Sequence, residues 1–169
     1  GHHQALGGLG GHQWAHATSP DLVTWTHHPL ALAITQEEEV SICTGSIFRH
    51  EGIFYAFHAV RRPDRSQRLG IATSDDSIHF VKHPIPPHAN PPMGYDPFHF
   101  RDPFVFQDEA TKTFHMLVTA MRLDQPIAAL GGCLAHLESD DLQEWRIVEP
   151  FIFPGFTDVP ECPDLFEWK

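Results

Sequence analysis

The chain has 169 residues, 41% hydrophobic and 20% charged, with 11 Lys plus Arg against 22 Asp plus Glu and a formal net charge of −11. That is a globular composition with enough length for one domain and a sizeable core. The acidic balance disfavours a nucleic-acid partner, because phosphate backbones are repelled. No apolar run reaches membrane-spanning length, so no membrane partner is expected.

In chain order, a short apolar stretch from Trp14 to Ala17 leads into Ser19-Pro20-Asp21-Leu22-Val23-Thr24-Trp25 and then runs toward Pro29. Cys43-Thr44-Gly45-Ser46-Ile47-Phe48 opens the next unit. Strands at 46–49 and 53–57 flank His50-Glu51-Gly52, the pattern of a hairpin. Leu69 to Thr73 then leads into Ser74-Asp75-Asp76-Ser77-Ile78-His79-Phe80 and on to Pro84. A Pro-rich stretch follows from Pro84 to Tyr95. It either walls a pocket or acts as a rigid spacer over the rim. Asp96-Pro97 reads as loop. Arg101-Asp102-Pro103-Phe104-Val105-Phe106 opens another unit, and strands at 103–106 and 113–118 flank the turn residues 107–112. Cys133 to Leu137 leads into Ser139-Asp140-Asp141-Leu142-Gln143-Glu144-Trp145 and then Pro150. Glu161-Cys162-Pro163-Asp164-Leu165-Phe166 opens a last unit.

Two interleaved series emerge. One reads Ser-x-Asp-x-x-x-aromatic, with copies about 55 and 65 residues apart. Its Ser and Asp suit a tight turn, and its aromatic is expected to pack back on the sheet. The other consists of the opening strands at Cys43, Arg101 and Glu161. Helical periodicity is absent. A four-stranded unit recurring at this spacing predicts all-β blades of a β-propeller, with a β-sandwich as the alternative. The expected division is 1–30 for the end of a first blade, 40–85 for a second, 100–150 for a third and 157–169 for the start of a fourth. That is about two and a half blades, with the ring not closed.

In a propeller, opening strands line the central channel, which brings Thr44, Arg101, Asp102 and Glu161 toward one polar funnel. Paired carboxylates beside a guanidinium suit glycosidic cleavage, which needs an acid for the leaving oxygen and negative charge near an oxocarbenium-like centre. The structural alternatives are an Asp-Pro turn and a Glu-Cys-Pro loop. Three Cys and fourteen His occur without Cys-x-x-Cys or His-Glu-x-x-His spacing, so neither a disulfide framework nor a metal site is expected. His2-His3 and His27-His28 are read as solvated or hydrogen-bonded, and no cofactor is implied.

The segment Gln13-Trp14-Ala15-His16-Ala17-Thr18-Ser19-Pro20-Asp21-Leu22-Val23-Thr24-Trp25, followed by Thr44-Gly45-Ser46, Phe100-Arg101-Asp102-Pro103 and Glu161-Cys162-Pro163-Asp164-Leu165, resembles glycoside hydrolase family 32 in motif and in order. The resemblance implies a five-bladed propeller, usually followed by a β-sandwich domain, that cleaves terminal fructosyl linkages of sucrose or fructans by a retaining double displacement. It implies Glu161 as general acid/base and Asp102 as the carboxylate that holds the fructosyl hydroxyls. Arg101 and Thr44 are implied sugar contacts. Cys43, Trp14 and Cys162 are further candidates around the substrate. Trp14 stacks on a sugar face or belongs to a blade core. Cys162 tunes Glu161 or is a small buried hydrophobe. Ala15 and Thr44 stand where the family has Gly and Ser. The family's nucleophile segment, Trp-Met-Asn-Asp-Pro-Asn-Gly, does not occur in these residues. The expectation is therefore a piece of a longer parent chain, inactive alone and partnered by the remaining blades. A fructosyltransferase, a related five-bladed glycosidase and a non-catalytic carbohydrate-binding propeller are the alternatives.

Overall fold

The computed structural model describes residues 11–84, 86–125, 127 and 130–166. The His2-His3 pair, Ile85 and the chain end from Glu167 lie outside them. Ten strands form three antiparallel sheets, and among the described residues there is no α-helix. β1 (Trp14–Thr18) and β2 (Thr26–Leu32) make a two-stranded sheet. β3 (Ser41–His50), β4 (Ile53–Arg61), β5 (Gln67–Ser74) and β6 (Val81–Lys82) make a four-stranded meander. β7 (Tyr95–Gln107), β8 (Phe114–Arg122), β9 (Gly132–Ser139) and β10 (Arg146–Ile152) make a second one.

The turns follow from local chemistry. Glu51 and Gly52 close the β3–β4 hairpin with φ of 49° and 86°, the left-handed pair that matches strand twist. All three Ser-x-Asp segments fold alike. Asp21 Oδ1 accepts from the backbone N–H of Val23 and Thr24, Asp76 Oδ1 from Ile78 and His79, and Asp141 Oδ1 from Gln143 and Glu144, at 2.7–2.9 Å. The residue after each Asp has φ of 63–64°. The position just before each Ser is also equivalent. Thr18 bonds His28 at 2.8 Å, Thr73 bonds His83 at 2.7 Å, and Glu138 accepts from Arg146 at 2.9 Å, each reaching across to the segment that follows the turn.

The two four-stranded sheets pack face to face. Phe57 and Leu69 from the first meet Val105, Phe114, Met116, Val118, Ala135 and Leu137 from the second, closed at one end by Leu142 and Trp145. The opposite face of the first meander, with Ile42, Ala56 and Ala72, packs against Leu32 and Trp14 of the two-stranded sheet. β4 is therefore covered on both faces, and its central residues Ala56 to Val60 are all buried. β3 and β7 lie side by side, with the Val105 N–H donating to Ser46 Oγ at 3.2 Å.

Two expectations need correction, and one open alternative is narrowed. Asp96-Pro97 is not a loop but belongs to β7, where an irregular register between Tyr95 and Phe100 accommodates it. The aromatic of the turn motif packs inward at Trp145 (8% exposed) but not at Trp25 (51% exposed), where among the described residues the sheet has only the two strands β1 and β2. Of the two readings of the Pro-rich stretch, its described residues do not wall the cleft that holds Asp102. Its single turn of 3-10 helix, Pro87–Ala89, sits against β5, and the neighbouring His88, Asn90, Pro91 and Pro92 line a separate hollow with Trp145.

Candidate active site

β3 and β7 carry the same irregularity at the same end. Ile42 pairs with Val60 while Gly45 pairs with His58, and Arg101 pairs with Thr119 while Phe104 pairs with Leu117. Each strand thus contains one extra residue, a bulge that turns the local side chains out of the pleat. The bulges contain Cys43-Thr44 and Asp102-Pro103. Asp102 takes φ of 53°, a conformation that a short polar side chain tolerates. Gly45 allows the β3 bulge to form, since a Cβ there would stand 1.9 Å from the Phe57 carbonyl oxygen.

Beside the bulges is a cleft of about 530 Å³ lined by His12, Trp14, Ile42, Cys43, Thr44, Arg61, Arg101, Asp102, Glu161 and Cys162. All seven residues singled out from the sequence border it. The three others are His12, Ile42 and Arg61, and strand pairing could have found the last of them. Counting back from the Glu51-Gly52 turn places Arg61 within one residue of its partner Ser41, at the cleft end of the sheet.

Arg101 organises the charges. Its Nη2 donates to Glu161 Oε1 at 3.0 Å, and its Nε lies 3.7 Å from Asp102 Oδ2. Its Nη1 is 3.2 Å from His99 Nδ1; a guanidinium only donates, so that ring nitrogen is the acceptor. Asp102 is 5% exposed and Arg101 16%, whereas the Glu161 side chain is 70% exposed at the mouth. Asp102 Oδ2 also accepts from the Cys162 N–H at 3.2 Å, and Cys162 Sγ approaches it at 4.0 Å. Trp14 Nε1–H donates to the Cys43 carbonyl at 2.8 Å, which fixes the indole against the β3 bulge.

Local burial first, and then the charges of Asp102 and Glu161, push the Cys162 thiol above its ordinary value. Burial does the same for Cys43. Both therefore remain thiols at neutral pH and are poor nucleophiles. The arrangement can hold a polyhydroxylated ligand between a buried carboxylate and an exposed one spanned by a single guanidinium.

A family model described as Glycosyl hydrolases family 32 N-terminal domain matches residues 2–169. The chain is 34% identical over 170 residues to the sucrose-6-phosphate hydrolase of Bacillus subtilis (strain 168), covering 94% of this chain and 33% of that protein. It is 30% identical over 178 residues to the levanase of Bacillus sp. (strain L7), covering 93% of this chain and 18% of that protein. The crystal structure of fructan 1-exohydrolase IIa from Cichorium intybus superposes with a TM-score of 0.75 at 26% identity, covering 90% of this chain and 29% of that one. The chain thus spans a third or less of the length of these relatives.

Proposed function

The chain belongs to glycosyl hydrolase family 32, and from that premise we propose that its cleft is part of the active site of a fructosyl-cleaving glycosidase. The observation that carries this reading is the Arg101 guanidinium, which spans Asp102 and Glu161 and so holds both carboxyl groups within reach of one sugar ring. Glu161, exposed at the mouth, protonates the leaving oxygen and later takes a proton from the incoming water. Asp102, buried and fixed by Arg101 and the Cys162 amide, accepts from the fructosyl hydroxyls and stabilises positive charge at the anomeric carbon. Thr44, Cys43, Trp14 and Cys162 shape the remaining wall.

In this reading the three sheets are successive blades of a five-bladed propeller: the end of one, two whole ones, and from about residue 157 the start of another. The attacking carboxylate comes from a part of the parent protein not among these 169 residues. A retaining displacement cannot begin without it, so the 169 residues alone release no fructose. The names of the relatives point to sucrose, phosphorylated sucrose or levan as the substrate class.

The test is Glu161→Gln in the full-length parent enzyme. Loss of the acid lowers turnover on sucrose or levan by roughly 10²–10⁴-fold, with a smaller loss on an aryl fructoside whose leaving group needs no proton. Turnover on sucrose or levan close to that of the unmodified enzyme overturns the assignment.

A further inference from the structure

The second four-stranded sheet carries a polar cluster that does not line the cleft and is unused by the chemistry above. His115 on β8 is the register partner of Glu138 on β9, and His136 precedes Glu138 by two residues, so all three side chains emerge from one face. His115 Nδ1 lies 2.8 Å from His136 Nε2 and 3.8 Å from Glu138 Oε1. One donor atom from each residue falls within 4.8 Å of the other two. All three residues are half-buried, which leaves an approach from solvent.

The neighbours restrict these rings. Phe106 stacks on His115 with centroids 5.1 Å apart and planes at 21°, and Phe151 meets His136 edge-on at 5.7 Å. Glu138 uses its other oxygen, Oε2, to accept from Arg146 at 2.9 Å, which orients the carboxylate and leaves Oε1 toward the imidazoles. Orientation of a ligand by a group outside the coordination sphere is a recurrent feature of metal sites.

We propose that His115, His136 and Glu138 form a binding site for a transition-metal ion of the Zn²⁺ type, clipping β8 to β9. Two imidazoles and one carboxylate suit Zn²⁺, Ni²⁺ or Cu²⁺; Ca²⁺ and Mg²⁺ prefer all-oxygen surroundings. Three protein ligands leave a fourth position to water. Two nitrogens about 2.0–2.1 Å from a tetrahedral Zn²⁺ are about 3.3 Å apart, so the pair opens by roughly half an ångström on binding. Only one nitrogen of the His115–His136 bond carries the proton. The ring that holds it transfers it to its other nitrogen, and with both rings neutral no net proton is lost. The site was invisible to spacing rules because its ligands come from two strands, separated by the β8–β9 connection.

The test is Zn²⁺ titration of the whole chain at pH 7.5 after chelator treatment, read by calorimetry and by the melting temperature. Co²⁺ then serves as a spectroscopic probe of ligand geometry. The expected result is one equivalent bound, a raised melting temperature, and a visible Co²⁺ spectrum of tetrahedral intensity. His115→Gln and His136→Gln each weaken binding at least about 10-fold, Glu138→Gln does so without relying on either ring, and His28→Gln leaves binding unchanged. Circular dichroism of each variant checks that the sheet is intact, and any one folded ligand variant suffices to decide. Absence of stoichiometric Zn²⁺ binding overturns the proposal, as does equal affinity in the ligand variants and in His28→Gln.

Discussion

The Cys162 backbone N–H donates to Asp102 Oδ2 at 3.2 Å, joining two residues 60 positions apart in the chain. Residues 153–166 form no regular strand, so this bond and the Arg101–Glu161 pair are what tie Glu161 to the bulge of β7. The geometry of the cleft therefore depends on Asp102 in two ways: as a charged wall and as an anchor for the segment that carries Glu161.

Asp102→Asn separates those roles. The amide keeps an acceptor for the Cys162 N–H but loses the charge. In the full-length parent enzyme, turnover falls by about 10²–10³-fold, the scale for losing one electrostatic stabiliser of the transition state. The melting temperature changes little. Steady-state kinetics on sucrose or levan, paired with a thermal melt, checks both, and a rate within threefold of the unmodified enzyme contradicts the role given to Asp102.

Arg101→Lys tests the bridge. A single ammonium cannot span two carboxylates as a planar fork does, so one of Asp102 and Glu161 loses its partner. We expect a fall in kcat/KM of about 10–100-fold, larger than the charge-conserving exchange suggests. Equal kinetics for the two side chains would show that one positive charge, rather than the fork, is sufficient.

Gly45→Ala places a methyl group 1.9 Å from the Phe57 carbonyl oxygen, a backbone atom that cannot swing aside. The β3 bulge has to open, at a cost of about 3 kcal/mol or more. Urea denaturation measures it. Since Cys43 and Thr44 occupy the bulge, the same change also weakens sugar binding by the parent enzyme.

Trp25 and Trp145 hold the same place in the repeat, yet their replacement has unequal consequences. Trp145 is 8% exposed, meets Phe57 edge-on at 5.8 Å and donates from its indole N–H to the Leu142 carbonyl at 3.2 Å. Trp145→Ala costs about 3–5 kcal/mol. Trp25 is 51% exposed, and Trp25→Ala costs about 1 kcal/mol or less. Denaturant midpoints for the two variants, compared side by side, decide this; equal losses would contradict the packing described.

Acid should destabilise the fold through its turns. The Thr24 and Val23 amides bonded to Asp21 lower its pKa from 3.8 to about 2. Asp141 is lowered by the Glu144 and Gln143 amides, and Asp108 by those of Thr111 and Ala110. A carboxyl whose folded pKa lies below its unfolded one contributes stability above the unfolded value and loses it as pH falls through the folded value. The loss therefore runs from about pH 4 down to about pH 2. Denaturant midpoints across that window should drop, and Asp21→Ala together with Asp141→Ala should flatten the drop. An unchanged slope in the double variant would contradict this source of acid sensitivity.

The turns were legible in the sequence because their chemistry is local. Asp21, Asp76 and Asp141 bond amides two and three residues ahead, and Glu51-Gly52 closes a hairpin between adjacent strands, so neighbouring residues suffice to specify them. The motifs around Asp102 and Glu161 were equally plain as strings of residues. What the string does not contain is distance. The bulges that turn Thr44 and Asp102 outward, Arg61 at the far end of β4, and the pairing of His115 with Glu138 all depend on strand register. The different burial of Trp25 and Trp145 depends on which sheet covers each. Register and sheet packing are set by the sum of many side-chain contacts between distant segments. Only the folded chain decides them, which is why the residue types of the cleft could be named in advance while its anchors and the histidine cluster could not.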